Sequence, residues 1–303
     1  MEDSPPASIG ARLAAAFSAL RPKQWTKNGL LAAALIFSMR FRELEPWLKF
    51  FEGFVAFSLI SSSGYLFNDI RDREADRLHP TKRRRPIASG RLPVSAAWAE
   101  MAAALLIGMF IAWQVSPSFL AVAVLYLCTT LSYSLYFKNH VILDVMFISA
   151  GFLWRAAAGA VAIDVTISPW LLTCTAFFSL FLGFNKRRGE LMALAGTDVE
   201  GHRKNLADYS EALVIEFQAI TTSGAIISYA LYTVLASPTP WLLVTLPHVL
   251  YGIFRYIFLV SAKGETGAPD EILLKDRPIL LVCLLYALTA VAVLLLAPKV
   301  THH

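Results

Sequence analysis

Cysteine is scarce, with three in 303 residues. Cys128, Cys174 and Cys283 each stand alone in an apolar run, so neither a disulfide framework nor a cysteine-based zinc site is available. Charge is scarce too. Asp, Glu, Lys and Arg make up 16% of the chain against 56% hydrophobic residues, and the mean hydropathy is +0.56. That balance excludes a soluble globule and indicates a polytopic membrane protein. Acid is the rarer sign, leaving a net charge of +5. Residues Met1 to Ser8 are acidic and Pro-rich, which does not read as a cleavable signal peptide. No nucleic-acid-binding motif is present. Neither His79 nor His140 has a visible orienting partner, so no general acid–base histidine is indicated.

What is abundant is apolar sequence. Nine spans are expected, at 27–40, 48–68, 95–114, 117–136, 141–162, 169–185, 215–236, 239–260 and 278–297. The first is short for a crossing of about 20 residues. With the N-terminus inside, most of the 27 Lys and Arg fall in 8–26, 69–94, 137–140, 186–214 and 261–277. This follows the positive-inside rule, so the N-terminus and these segments are expected on the cytoplasmic face of the cell's inner (plasma) membrane. The basic face would attract anionic lipid or phosphorylated metabolites. Residues 8–21 read as a short interfacial helix. The expected organisation is therefore a tail and interfacial helix over 1–26, then one all-α intramembrane unit over 27–297. The sequence leaves self-association into a homo-oligomer open.

The outer connections are short and carry Ser, Pro and Thr, whereas the cytoplasmic ones hold unusual polarity. Asn68-Asp69-Ile70-Arg71-Asp72-Arg73-Glu74-Ala75-Asp76 follows an apolar run that begins at Phe51. On a single helix, Asn68, Asp69, Asp72 and Asp76 fall within an arc of roughly 100°. Four oxygen-bearing side chains beside a membrane are costly unless a cation holds them. Mg²⁺ prefers such oxygens and commonly bridges carboxylates to a substrate diphosphate. The bland reading is a solvated helix end with its acids paired to Arg71, Arg73 and Arg77.

Basic segments surround this motif. Lys23 and Lys27 lie one turn apart in Arg21-Pro22-Lys23-Gln24-Trp25-Thr26-Lys27-Asn28. Lys82 to Arg91 contains Arg83, Arg84 and Arg91 and reads as a phosphate-binding loop, since Arg presents a planar fork of donors. Tyr133 and Lys138 precede Asp144. Arg155 lies within a span, where an Arg faces the bundle interior with a partner or marks a site. Asp144 is about three turns earlier on a similar face. Lys186, Arg187 and Glu190 share one flank at the end of the sixth span, where cations suit an anionic head group arriving from the lipid. Asp198, Glu200, Arg203, Lys204 and Tyr209 then form a charged loop placed to cap the site.

The pattern Asn68-Asp69-x-x-Asp72-x-x-x-Asp76, with Tyr133 and Lys138 and the nine-span layout, resembles the UbiA superfamily of intramembrane prenyltransferases. The resemblance implies a UbiA-type helical bundle with a cytoplasmic-side cap, and a Mg²⁺-diphosphate held by Asn68, Asp69, Asp72 and Asp76. Usual members carry a second Asp-rich motif after the sixth span. Here Asn185-Lys186-Arg187-Arg188-Gly189-Glu190 stands instead. Together with Arg21 to Asn28, Tyr133-Ser134, Arg155-x-x-x-Gly159, Ser168-Pro169-Trp170, Thr266 to Glu271 and Asp276-Arg277-Pro278, this is similar to the decaprenyl-phosphate phosphoribosyltransferase branch.

That branch implies Mg²⁺-dependent transfer of a 5-phosphoribosyl group from phosphoribosyl diphosphate to a polyprenyl phosphate, toward an arabinofuranose donor. It implies Asp72, Asp76, Lys186 and Arg187 in catalysis. Lys186 and Arg187 would hold the lipid phosphate. Lys23, Lys27, Arg83, Arg84 and Arg91 are then candidates for the ribose 5-phosphate, with Asn68, Tyr133, Lys138, Arg155 and Glu190 completing the substrate site. The rivals are prenyl transfer to an aromatic acceptor (a quinone, haem or chlorin precursor) and a membrane transporter. Against a transporter, no internal repeat is visible and the polar residues crowd one interface.

Overall fold

A computed structural model describes residues 9–166, 168–194, 208–264 and 269–298. Every regular element among them is helical. In chain order they are α1 (Ile9–Ala19), α2 (Ala32–Phe37), α3 (Leu44–Arg71), α4 (Arg73–Leu78), α5 (Val94–Val115), α6 (Pro117–Leu135) and α7 (Leu143–Ala162). There follow α8 (Pro169–Leu194), α9 (Glu211–Leu235), α10 (Leu246–Lys263), α11 (Pro269–Lys275) and α12 (Arg277–Leu296).

Seven of these helices are long and apolar enough to cross a membrane: α3, α5, α6, α7, α9, α10 with the 3₁₀ segment before it (Pro240–Lys263 in all), and α12. The chain is a multi-pass membrane protein. Large apolar side chains such as Leu106, Phe110 and Trp113 on α5, and Leu281, Leu284 and Leu288 on α12, point outward as lipid-facing surface does.

Two of the nine expected spans differ. The segment expected at 27–40 is a 3₁₀ stretch, Pro22–Leu31, followed by the six-residue α2 and a turn at Arg40–Arg42. Its polar start, with Asn28 buried, breaks the apolar run. The span expected at 169–185 belongs to the 26-residue α8, whose last third carries Asn185 to Glu190 and so lowers its apolar character.

The Pro22–Leu31 segment matters because it is wedged between α3 and α7. Trp25 Nε1 donates to Ser62 Oγ at 3.0 Å, and Asn28 Nδ2 donates to Ser58 Oγ at 3.0 Å. On the other side, Arg155 of α7 donates to Asn28 Oδ1 at 2.7 Å. Gly159 makes the wedge fit, because a Cβ there would lie 2.2 Å from the Leu31 carbonyl oxygen. Beneath the wedge, Leu31, Leu35, Phe57, Ile60, Phe119 and Tyr126 form the main core. The helix α1 buries Ala15 and Ala19 and exposes Leu13 and Phe17.

Candidate active site

Charged residues at the end of α3, on α4, in the α6–α7 connection, at the start of α7 and near the end of α8 are joined by ion pairs at one end of the bundle. Asp69 is buried near the C-terminus of α3, Asp72 forms the joint between α3 and α4, and Asp76 is buried on α4. The acidic motif is therefore not one continuous helix. Asp72 takes φ −89°, ψ 8°, and this bend separates two helical pieces. Asp is a poor helix-interior residue, and the Asp72 carboxylate turns to Lys138 instead of capping α4. Asn68 stays in register, its carbonyl accepting from Asp72 N at 2.9 Å.

Each acid meets a cation from elsewhere in the chain. Arg21 Nη2 donates to Asp69 Oδ1 at 2.5 Å. Arg85 Nη1 donates to both Asp69 Oδ1, at 2.9 Å, and Asp76 Oδ2, at 2.6 Å. Lys138 Nζ sits 2.9 Å from Asp72 Oδ1. One guanidinium nitrogen thus bridges two carboxylates, as a hard divalent ion does among oxygen ligands. The donor set fits Mg²⁺ in its chemistry. Among the described residues, no three acidic, His or Cys side chains yet converge on one point.

Arg187 anchors a second cluster on α8. It is only 1% exposed; its Nε lies 2.9 Å from Asp144 Oδ2, and its Nη1 bonds Glu190. Asp144, fully buried, also accepts from Tyr209 Oη at 2.9 Å. Burial pushes the Tyr209 hydroxyl's pKa well up, so it remains a donor. Arg188 donates to Ser261 Oγ at 2.5 Å and Gln218 Oε1 at 3.2 Å, tying α8 to α9 and α10. The two clusters are linked by the short stretch from Lys138 to Asp144.

Several expected site residues fall elsewhere. Arg83, Arg84 and Arg91 are exposed, and Arg91 is turned onto the Arg84 carbonyl at 2.6 Å. Lys23 is exposed and Lys27 half-buried in the wedge segment. Arg155 is buried, but its partners are Asn28, the Gly151 carbonyl and the Tyr126 hydroxyl; Asp144, on a similar face, goes to Arg187 instead. Tyr133 is half-buried and within electrostatic reach of Arg187, and Lys186 is half-buried beside it. Of the bland pairings, Arg77 holds Glu74 and Arg71 holds the Ser134 carbonyl. His79 Nδ1 lies 3.2 Å from Thr81 N, within its own turn. Asp198, Glu200, Arg203 and Lys204, expected as the cap, lie outside the described residues, as do Thr266 to Ala268. A cavity of about 550 Å³ opens at the opposite end, near Arg40, Lys49, Ser116 and Asp164, and contains none of the expected site residues.

Arg21 and Arg85 were not on the list of expected site residues. Arg85 stands directly before Pro86 in a run of basic residues, and only the tertiary fold singles it out from its neighbours. Arg21 adopts a left-handed conformation, φ 55°, ψ 59°, with its guanidinium 5.2 Å from the Tyr65 ring centre. That uncommon backbone aims it at Asp69.

The structure defines a multi-pass helical bundle with acids and cations clustered at one end, and comparison with known proteins gives its class. The profile of the UbiA prenyltransferase family matches residues 29–275. This chain belongs to the UbiA prenyltransferase family.

Among relatives, it is 35% identical over 274 residues, 86% of each chain, to the decaprenyl-phosphate phosphoribosyltransferase of Mycolicibacterium smegmatis. It is 34% identical over 294 residues to the one of Mycobacterium tuberculosis, covering 94% of this chain and 95% of that one. Its fold is similar to a UbiA homologue from Archaeoglobus fulgidus bound to GPP and Mg²⁺, with TM-score 0.72 at 18% identity, over 93% of this chain and 100% of the other.

Proposed function

We propose that this chain is a decaprenyl-phosphate phosphoribosyltransferase, working at the cytoplasmic face of the inner membrane. The observation that carries the reading is the company of charges at one end of the bundle. Carboxylates held by exchangeable cations on α3 and α4 stand opposite a cationic, not acidic, end of α8. The 34–35% identity to mycobacterial enzymes over most of the chain supports it.

Asn68, Asp69, Asp72 and Asp76 would hold Mg²⁺. When bound, Mg²⁺ supplies charge neutralisation for a departing diphosphate. Arg21, Arg85 and Lys138 stand beside those acids as donors suited to phosphate oxygens. A polyprenyl phosphate oxygen attacks C1 of the ribose while the bond from C1 to the diphosphate oxygen breaks. The nucleophile is already anionic near neutral pH, so no strong general base is needed, and positioning with electrostatics carries the rate. Lys186 holds the lipid phosphate. Arg187, paired with Asp144 and Glu190, sets the end of α8 from which Lys186 projects. Tyr133 on α6 and Lys138 in the α6–α7 connection support the substrates, and Arg155 supports them indirectly by holding Asn28 of the Pro22–Leu31 segment. Lys23, Lys27, Arg83, Arg84 and Arg91 would serve the ribose 5-phosphate from the cytoplasm, Arg91 on leaving the Arg84 carbonyl.

In this reading the unit over 27–297 crosses nine times, with the Pro22–Phe37 region and α8 adding to the seven apolar helices. The N-terminus lies inside, and α1 rests in the inner leaflet. The test is direct. Purified protein is incubated with Mg²⁺, polyprenyl phosphate and phosphoribosyl diphosphate labelled in the ribose, and the lipid is extracted. Label in the lipid, lost with EDTA or without the acceptor, is expected. An unlabelled lipid, with labelled prenyl diphosphate instead joined to an aromatic acceptor, overturns the assignment.

A further inference from the structure

Ile142 has φ 70° and ψ −52°, and Leu143 N donates to Val141 O at 2.8 Å across it. This is a γ-turn of the positive-φ kind, which is rare and strained, and for a β-branched residue it is a genuine outlier. Its side chain is 39% exposed, so packing does little to impose the conformation. Hydrogen bonding does. Ile142 N donates to Tyr209 Oη at 2.7 Å, and the same hydroxyl donates to Asp144 Oδ1 at 2.9 Å. The Tyr209 ring is buried with Val145, Phe184 and Val214. On one side of the turn, Lys138 reaches Asp72; on the other, Asp144 reaches Arg187.

We propose that Tyr209 is a positioning residue: its hydroxyl holds the strained turn at Ile142 and so sets the acidic cluster and the Arg187 cluster in register with each other. The proposal deepens the functional reading, and rests on it for the kinetic arm of the test. Strain of this kind persists only where surrounding structure over-determines it. Here one buried hydroxyl satisfies a backbone donor and a carboxylate together. Tyr209 lies 65 residues from Asp144 in sequence, on the segment that enters α9. The tie therefore closes α9 onto the α6–α7 connection.

Tyr209→Phe keeps the ring and removes the tie. Michaelis–Menten measurements are expected to show kcat/KM falling roughly ten- to a hundredfold, the usual range for a buried hydrogen bond left unmade. KM for phosphoribosyl diphosphate and for polyprenyl phosphate should rise together, because one turn serves both. Ile142→Gly in the same background should recover most of the loss, since glycine adopts positive φ freely. Wild-type kinetics in Tyr209→Phe, or a loss that Ile142→Gly leaves untouched, would overturn the proposal. A second arm needs no substrate. The unfolding temperatures of wild type, Tyr209→Phe, Ile142→Gly and the double variant form a cycle, and the tie requires them to be non-additive. If Tyr209→Phe does not fold, Ile142→Gly alone decides: relief of strain raises the unfolding temperature, and a fall contradicts the tie. Absence of any transfer by the wild type refutes the functional reading, and the stability cycle still judges the turn.

Discussion

On α3 and α4, three carboxylates each meet a cation from outside those helices, and the side chains of Arg21, Arg85 and Lys138 keep 25%, 26% and 18% of their surface exposed. On α8, a single guanidinium 1% exposed meets two carboxylates. In the first arrangement the cations reach water, and in the proposed function an incoming metal or phosphate displaces them. In the second the cation itself is buried, with Asp144 buried beside it and Glu190 reaching the surface. The burial of the partners separates the two cases better than the identity of the residues.

Breaking the comparison at its strongest point gives the largest effect. Asp144→Ala leaves Arg187 buried with one carboxylate fewer, a change expected to destabilise the protein by about 3–5 kcal/mol. Asp72→Ala removes a half-exposed acid from the exchangeable side. It should leave the protein folded in detergent while abolishing Mg²⁺-dependent transfer. Size-exclusion profiles and lipid labelling of the two variants, side by side, check this. A soundly folded Asp144→Ala, or an active Asp72→Ala, erases the distinction.

Gly159→Ala comes next. Its new methyl would sit on the Leu31 carbonyl and push the Pro22–Leu31 wedge from α7. Such overpacking costs roughly 1–3 kcal/mol. A melting temperature equal to wild type would mean that the wedge moves aside freely.

Arg85→Gln sharpens the comparison more gently. Asp69 and Asp76 then lose the nitrogen that bridges them, Asp69 keeping only Arg21 among these partners, and Mg²⁺ can take over the bridging position. The variant should melt lower than wild type in EDTA and gain more from added Mg²⁺. Equal gains in both proteins would show that Arg85 and the metal do not compete.

The smallest effect belongs to a pair outside both clusters. Arg255 donates to Asp276, at the start of α12, and this hydrogen bond holds the Asp276 carboxyl below its ordinary range. A depressed folded-state pKa stabilises fully above the unfolded value of about 3.9 and is lost as pH falls through the folded value. Asp276→Asn should therefore lower stability at pH 7 by under about 1 kcal/mol, with the difference from wild type closing below about pH 4. Thermal melts at the two pH values decide it.

Much of this was legible in the sequence because it is local. Seven of the expected spans coincide with helices to within a few residues, since apolar runs declare themselves. The Arg187–Glu190 pair follows from three-residue spacing on a helix. The acidic motif was legible as a set of donors, though not its bend at Asp72, which depends on how the chain enters α4. Arg21 and Arg85 were not legible as counter-charges. They reach Asp69 across 48 and 16 residues, and no periodicity encodes such contacts. Arg155 misled for the same reason. A shared helix face pointed to Asp144, whereas the wedge brings Asn28 to Arg155 from 127 residues away. The broken first span was hidden because its apolar half resembles a crossing and its polar half looks like an ordinary flank.

The most direct test is metal binding without turnover. Mn²⁺, in place of Mg²⁺, is titrated into purified protein with inorganic diphosphate and followed by electron paramagnetic resonance. The wild type should bind the ion in the presence of diphosphate, and a variant with Asp69, Asp72 and Asp76 all changed to Asn should not. Equal binding by both proteins would contradict the assignment of those three acids.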